Sequence, residues 1–306
     1  MLECVRAELP GWEVSLANES ELVDTLLPDT DAVLDAYMRV RFPRERLEAA
    51  RRLAVFVTAT TGFDHIEADV LAERGVPLLT LGDQQAFLKN ITPAAEHSWL
   101  LLMACARRLR EATAHVLDAQ WDRNLFPGVL LRGKTLGIIG CGRIGGWMAR
   151  YAEAFGMDRV GHDPFLADWP DNIERSELRP LLERADFVTV HVPLLDTTRS
   201  LLGADEFMQM KPGCILVNTS RGEIIHEPSL LAGLEEGRVA AAGLDVLTGE
   251  PDVGGHPLVA YARAHDNLLI TPHIGGYSPD ALRTVLAFCC GRIAHHFGGD
   301  DARETG

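Results

Sequence analysis

The run Gly140-Cys141-Gly142-Arg143-Ile144-Gly145 carries the most specific local chemistry in this sequence. It follows the apolar run Thr135-Leu136-Gly137-Ile138-Ile139 and opens a helix-like stretch that ends near Gly156. The first glycine allows a tight turn after a strand, the second lets a pyrophosphate approach the backbone, and the third lets helix and strand pack closely. The N–H groups and dipole at the start of the helix favour phosphate charge. Asp163 ends a second apolar run 18 residues past Gly145, where a carboxylate is expected to accept hydrogen bonds from an adenosine ribose. A carboxylate there repels a 2′-phosphate, so NAD is expected rather than NADP. Gly140, Gly142, Arg143, Ile144, Gly145 and Asp163 form this expected cofactor set.

Such groups need a parallel sheet to present them. Strand-like apolar runs alternate with helix-like segments along almost the whole chain, the pattern of α/β proteins with parallel sheets. In the first part, residues 13–17, 31–37, 53–59 and 77–81 read as strands. Residues 20–27, 44–52 and 65–74 read as helices, the last ended by Gly75. A long helix over 94–110 follows, with Thr92 as its N-cap and Pro93 at its first position. It is apolar nearly all round, which predicts burial at a domain seam or against a partner subunit. From Thr135 onward, strands are expected at 135–140, 159–163, 187–192, 214–219, 241–246 and 268–271. A final helix over 280–297 is expected to return to the first domain, and the tail after it reads as solvated.

Composition narrows the function classes. The 306 residues carry 44 acidic and 29 basic side chains, a formal charge of -15. That argues against a nucleic-acid partner, which needs a basic face, and against an anionic membrane surface. Six cysteines without a CxxC pair read as buried, reduced thiols rather than disulfides or metal ligands. No metal site is expected. No signal-like N-terminus or membrane-length apolar run is visible, so a cytoplasmic protein is expected. His256, His295 and His296 lack a metal-ligand pattern and read as surface or packing residues. Arg39, Arg41, Arg44 and Arg46 read as a solvated basic face.

Several further motifs resemble one family. They are Thr61-Gly62-Phe63-Asp64-His65-Ile66, Thr92-Pro93-Ala94-Ala95-Glu96-His97 and Gly133-Lys134-Thr135-Leu136-Gly137-Ile138-Ile139-Gly140. Next come His191-Val192-Pro193-Leu194 with Thr197-Thr198, and Met210-Lys211-Pro212-Gly213. Asn218-Thr219-Ser220-Arg221-Gly222, Gly243-Leu244-Asp245-Val246 and Thr271-Pro272-His273-Ile274-Gly275-Gly276 complete the set. From about Val55 to Ser278 the chain resembles the NAD-dependent D-isomer-specific 2-hydroxyacid dehydrogenases, which include phosphoglycerate dehydrogenase and the glyoxylate/hydroxypyruvate reductases.

The resemblance implies two Rossmann-like domains separated by a cleft. An NAD-binding domain, residues 93–276, would be inserted into a flavodoxin-like substrate domain, residues 1–92 with 277–306. It implies a catalytic trio of Arg221, Glu250 and His273, with Asp245 near the nicotinamide carboxamide. His191, Val192, Pro193, Thr198, Thr219 and Gly275 would flank the cofactor. The backbone of Thr60, Thr61 and Gly62 would hold a substrate carboxylate, with domain closure as a gate. A homodimer is expected, and the partner molecule is a small 2-oxo or 2-hydroxy acid.

The chemistry suits these types. Reducing a 2-oxo acid needs a hydride and a proton on the ketone oxygen. Imidazole titrates near neutrality, so His273 suits the proton, and Glu250 would favour its imidazolium and orient it. Arg221 offers a planar fork to the carboxylate and carbonyl.

Three departures stand out. A first strand is missing or shifted, because residues 1–12 hold at most a short helix. Tyr37-Met38 falls where phosphoglycerate-type members carry an arginine, which weighs against a phosphorylated substrate. The chain ends at Gly306, so no separate C-terminal regulatory domain is expected. Tyr37, Phe87, Leu88 and Trp121 are candidates for substrate specificity. Two other readings stay open: an NAD-sensing protein like the family's corepressor relatives, and other oxidations on the same scaffold. Formate-type chemistry fits less well, because those sites resemble a Gln–His pairing; phosphite oxidation fits the motifs.

Overall fold

The structure, a computed structural model, describes residues 1–298. The chain divides into two compact units: Met1–Ile91 with the chain from Ser278 onward, and Thr92–Tyr277.

The first unit is built on a parallel sheet of β1 (Ala32–Asp35), β2 (Val55–Thr58) and β3 (Leu78–Leu79), in that order. Alternation along β2 decides what covers each face. Phe56 enters a core with Leu47, Val70 and Leu71. Val55 and Val57 enter another with Val285, Leu286, Cys289 and Ile293 of the closing helix Pro279–His296. A strand covered on both faces must be apolar at every core position, as Val55, Phe56 and Val57 are.

The strand expected at 13–17 is absent; those residues have no regular structure. Arg6 Nη2 donates to the Val14 carbonyl at 3.1 Å, so a side chain takes the bond that a ladder would need. Leu88 is buried in the core and Phe87 stacks on Phe288 with ring centroids 4.0 Å apart, so both serve packing here. The solvated tail expected past Gly298 lies outside the described residues.

The second unit holds a seven-stranded, all-parallel sheet. Its strands are β4 (Thr135–Ile139), β5 (Asp158–His162), β6 (Glu174–Arg175), β7 (Phe187–Val190), β8 (Cys214–Asn218), β9 (Val239–Leu244) and β10 (Leu268–Ile270). Across the sheet they run β6-β5-β4-β7-β8-β9-β10. The winding reverses between β4 and β7, and ligands of open α/β sheets bind outside the strand C-termini at such a switch point. The short edge strand β6 went unread in the sequence, since Glu174 and Arg175 are both exposed and polar. The other strands end before the expected limits. Among the residues trimmed from their C-terminal ends, Gly140, Asp163, His191, Val192, Thr219, Asp245 and Thr271 leave the strands as candidate site residues or their supports.

The long helix expected over 94–110 is two. Pro93–Ala106 ends, Arg108 takes φ +50°, and Leu109–Leu117 begins. Arg108 Nη1 donates to the Leu125 carbonyl at 2.9 Å, which anchors the break to the following loop. The first helix packs on β8 and β9. A Cβ at Gly243 would stand 2.9 Å from Leu101 Cβ, so the strand glycine sets that approach. Its outer side is not buried within this unit, since Leu100 is 55% exposed.

All six cysteines are free. Burial pushes the thiols of Cys105, Cys141, Cys214 and Cys289 up to about 12, which keeps them protonated and inert. Among the described residues, no helix is long and apolar enough to cross a membrane.

Candidate active site

The turn after β4 gives each glycine a separate reason. Gly140 sits at φ +89°, and a Cβ there would meet the His191 carbonyl oxygen at 2.5 Å. A Cβ on Gly145 would lie 2.1 Å from the Gly140 carbonyl oxygen, so strand and helix touch there backbone to backbone. Gly142 faces open space, and its helix, Arg143–Ala154, has no side-chain cap. An open position at an uncapped helix start fits a pyrophosphate. Burial pulls the half-buried Arg143 guanidinium below its ordinary value, and an anionic ligand would offset that desolvation. Ile144 is half-buried beside it.

Asp163 leaves the end of β5 and folds back over the turn. Its Oδ2 accepts from Cys141 N at 3.0 Å, and Oδ1 accepts from Phe165 N and Leu166 N at 3.1 and 3.2 Å. The carboxylate expected to meet a ribose therefore also shapes the glycine turn. Thr198 is likewise structural in part: its hydroxyl bonds the Pro193 carbonyl at 2.6 Å and accepts from Leu195 N at 2.8 Å. Val192 reaches the space beside Gly140, and Pro193 is exposed. Thr219 bonds Ser98 Oγ at 2.7 Å, and Ser98 in turn donates to the Ala94 carbonyl.

His191 is held by Thr189 Oγ1 at 2.7 Å through Nε2, while its Nδ1 is buried without a partner. Burial pulls the imidazole down to about 3 from 6.5. Below pH 6.5 the unfolded chain takes a proton that the folded chain refuses, so this residue's effect is absent above 6.5 and destabilises as pH falls. The slope reaches about 1.4 kcal/mol per pH unit. Urea melts of the wild type and of His191→Gln, compared from neutral to mildly acid pH, should show the variant losing stability less steeply. Equal slopes would mean that His191 takes up its proton in the folded state.

Catalytic candidates stand on the other half of the same sheet edge. β8, β9 and β10 are neighbours, and Arg221, Glu250 and His273 follow their respective C-terminal ends. Buried Asn218 locks the first turn: Nδ2 donates to the Arg221 carbonyl at 2.8 Å and Oδ1 accepts from Ser220 N at 3.0 Å. A Cβ at Gly222 would stand 2.2 Å from Leu247 C and Thr248 N, so the loops after β8 and β9 meet backbone to backbone.

His273 Nδ1 and Glu250 Oε1 are 2.5 Å apart. The carboxylate fixes the Nδ1–H form and leaves Nε2 as the nitrogen available to a substrate. His273 adopts φ +54°, a conformation that costs a side-chain-bearing residue about 1–3 kcal/mol and persists only when its surroundings dictate it. Asp245, 1% exposed, supplies those surroundings. Its carbonyl accepts from His273 N at 2.8 Å. Its carboxylate accepts from Thr271 Oγ1 at 2.6 Å, Ile274 N at 2.9 Å and Gly275 N at 2.7 Å. His97 Nε2 lies 3.3 Å from Asp245 Oδ1 and donates to Thr271 Oγ1 at 2.9 Å.

Sequence reasoning missed His97, Ser98 and Thr271 as supports. For His97 and Ser98 the available signal was polar residues in the otherwise apolar helix Pro93–Ala106. In the other unit, Thr60 Oγ1 donates to the Gly62 carbonyl at 2.7 Å and the Thr60 carbonyl accepts from Leu81 N, with Thr61 between them. Thr58 Oγ1 joins Thr60 Oγ1 at 2.7 Å, and Asp35 pairs with His65 beside it at 2.8 Å.

Residues 99–275 match the family model described as D-isomer specific 2-hydroxyacid dehydrogenase, NAD binding domain. The D-3-phosphoglycerate dehydrogenase of Methanocaldococcus jannaschii is 35% identical, the match covering 97% of this chain and 56% of that protein. The hydroxypyruvate reductase of Thermotoga maritima is 33% identical over 87% of this chain and 85% of its own length. The solved NAD-dependent formate dehydrogenase of Staphylococcus aureus, in complex with NAD, superposes with TM-score 0.81 at 26% identity, covering 92% of this chain and 84% of that one. The chain spans about half the length of the phosphoglycerate dehydrogenases it matches. With the glycine turn, the switch-point sheet and these similarities together, the chain belongs to the D-isomer specific 2-hydroxyacid dehydrogenase family and carries its NAD-binding domain.

Proposed function

We propose that this chain interconverts a small 2-oxo acid and a D-2-hydroxy acid with NAD(H). The observation that carries the reading is the His273–Glu250 pair, presented at the same sheet edge as Arg221 and the glycine turn. Gly140, Gly142, Gly145 and Asp163 would hold NAD(H), which when bound would supply or accept the hydride. Arg221 binds the substrate carboxylate and carbonyl through its planar fork, which places the reacting carbon. His273 Nε2 gives a proton to the ketone oxygen on reduction and takes it back on oxidation. Glu250 holds Nδ1, so the ring neither turns over nor loses its tautomer, and it balances the imidazolium charge. Asp245 holds the backbone of His273 at its strained φ. The backbone at residues 60–62 is a further candidate for carboxylate binding.

Tyr37-Met38 in place of an arginine favours a substrate without a phosphate. The Thermotoga maritima relative's name, hydroxypyruvate reductase, agrees with an unphosphorylated acid. The test is NADH oxidation against glyoxylate, hydroxypyruvate, pyruvate, 2-oxoglutarate, 2-oxoisocaproate and phosphohydroxypyruvate, with NADPH run in parallel. Turnover of an unphosphorylated acid, with NADH preferred, is expected. NADH binding without turnover of any acid in the panel would shift weight to a larger, pathway-specific substrate or to an NAD-sensing protein.

A further inference from the structure

A second carboxylate–imidazole pair stands behind the first. Glu227 opens the helix Glu227–Glu235, and its Oε1 accepts from Thr248 N at 2.8 Å. Its Oε2 lies 3.1 Å from His256 Nε2, with the two side chains only 16% and 9% exposed. His256 caps the helix Pro257–Ala264, its Nδ1 accepting from Leu258 N at 3.2 Å. A ring nitrogen that accepts an N–H carries no proton, so the ring proton sits on Nε2 and points at Glu227. One carboxylate therefore grips both ends of the loop 248–256, and Glu250 stands two residues past the first grip.

The loop needs an external hold. It contains Gly249, Gly254 and Gly255, residues with the largest backbone freedom to lose on ordering. Gly249 sits at φ +82°. Within the loop's own reach, Glu250 is steadied by Leu247 N at 3.3 Å, a long contact. His256, read from the sequence as a surface or packing residue, is 9% exposed and pairs with Glu227.

We propose that Glu227, with His256, is a positioning residue that holds Glu250 at its distance from His273. The inference rests on the assignment of Glu250 above. Glu227→Ala frees both ends of the loop and should lower kcat for the oxo acid by about tenfold to a hundredfold. NADH affinity should stay at the wild-type value, because the glycine turn follows β4 on the other half of the sheet. Glu227→Gln keeps an acceptor for Thr248 N and should recover part of the loss, which a general packing defect would not allow. In a Glu250→Gln background, Glu227→Ala should cost less than in the wild type, since the carboxylate it positions is already gone and only an amide acceptor remains.

The experiment measures kcat and NADH affinity for the full chain carrying each single change and the pair. A wild-type kcat in Glu227→Ala, or losses that multiply in full in the double variant, would overturn the proposal. Should Glu227→Ala not fold, Glu227→Gln and His256→Gln, each paired with Glu250→Gln, carry the same comparison. If Glu250→Gln itself turns over at the wild-type rate, the assignment of Glu250 fails and the inference falls with it. A drop in Glu250→Gln without one in the Glu227 variants overturns the inference alone.

Discussion

An Arg221→Ala variant is expected to lose about one and a half to three and a half orders of magnitude in kcat/KM for the oxo acid while binding NADH as the wild type does. Truncating one side of a desolvated, charge-assisted pair costs about 2–5 kcal/mol, and each tenfold in rate is about 1.4 kcal/mol. The separation from cofactor affinity follows from the sheet. Arg221 leaves β8, whereas the glycine turn leaves β4, with β7 between them. The turn is held by Asn218 Nδ2 on the Arg221 carbonyl, by Ser220 Oγ on the Val190 carbonyl at 2.8 Å and by Arg221 Nη1 on the Ser220 carbonyl at 2.8 Å. Alanine removes the last of these and keeps the other two. Arg221→Lys should restore charge but not the fork, and recover only part of the rate. NADH titration by fluorescence alongside steady-state kinetics decides it: loss of NADH binding in Arg221→Ala would remove the substrate role.

The second large effect separates two glycines three residues apart. Gly145→Ala places a Cβ 2.1 Å from the Gly140 carbonyl oxygen, backbone that cannot move aside without parting helix and strand. Overpacking of this kind costs about 1–3 kcal/mol or more, and the turn must shift with it. Both thermal stability and NADH binding should fall. Gly142→Ala meets no protein atom within 4 Å. It should leave the melting temperature unchanged and weaken NADH binding sharply, because the new methyl occupies the space through which a pyrophosphate approaches the backbone. Melting curves with and without NADH distinguish the cases. Full NADH stabilisation in Gly142→Ala would place the phosphates elsewhere.

Much of this could be read before any coordinates. Period-two and continuous apolar runs located every strand but the short edge strand β6 to within a few residues, and the glycine turn with Asp163 marked the candidate cofactor edge. Misses share a physical cause. Residues 13–17 alternate like a strand, but a strand exists only with a partner, and Arg6 takes the Val14 carbonyl instead. The apolar run from Pro93 continues past Ala106 in helix-forming residues, yet Arg108 takes φ +50° and its guanidinium donates to the Leu125 carbonyl. Local preference is weak wherever a contact distant in sequence competes with it.

The sequence by itself determined the parallel α/β organisation and a glycine turn with Asp163 suited to a dinucleotide, and by resemblance it offered Arg221, Glu250 and His273 as candidates. The first two live in residue types and short spacings. What only the tertiary structure decided is how the groups are held. His97 and Asp245 steady the loop of His273, Ser98 holds Thr219, and Glu227 grips both ends of the loop of Glu250. Each of these bonds joins residues brought together by strand order, between 21 and 174 positions apart in the chain. Their partners are ordinary polar side chains whose meaning is set by what the fold places opposite them.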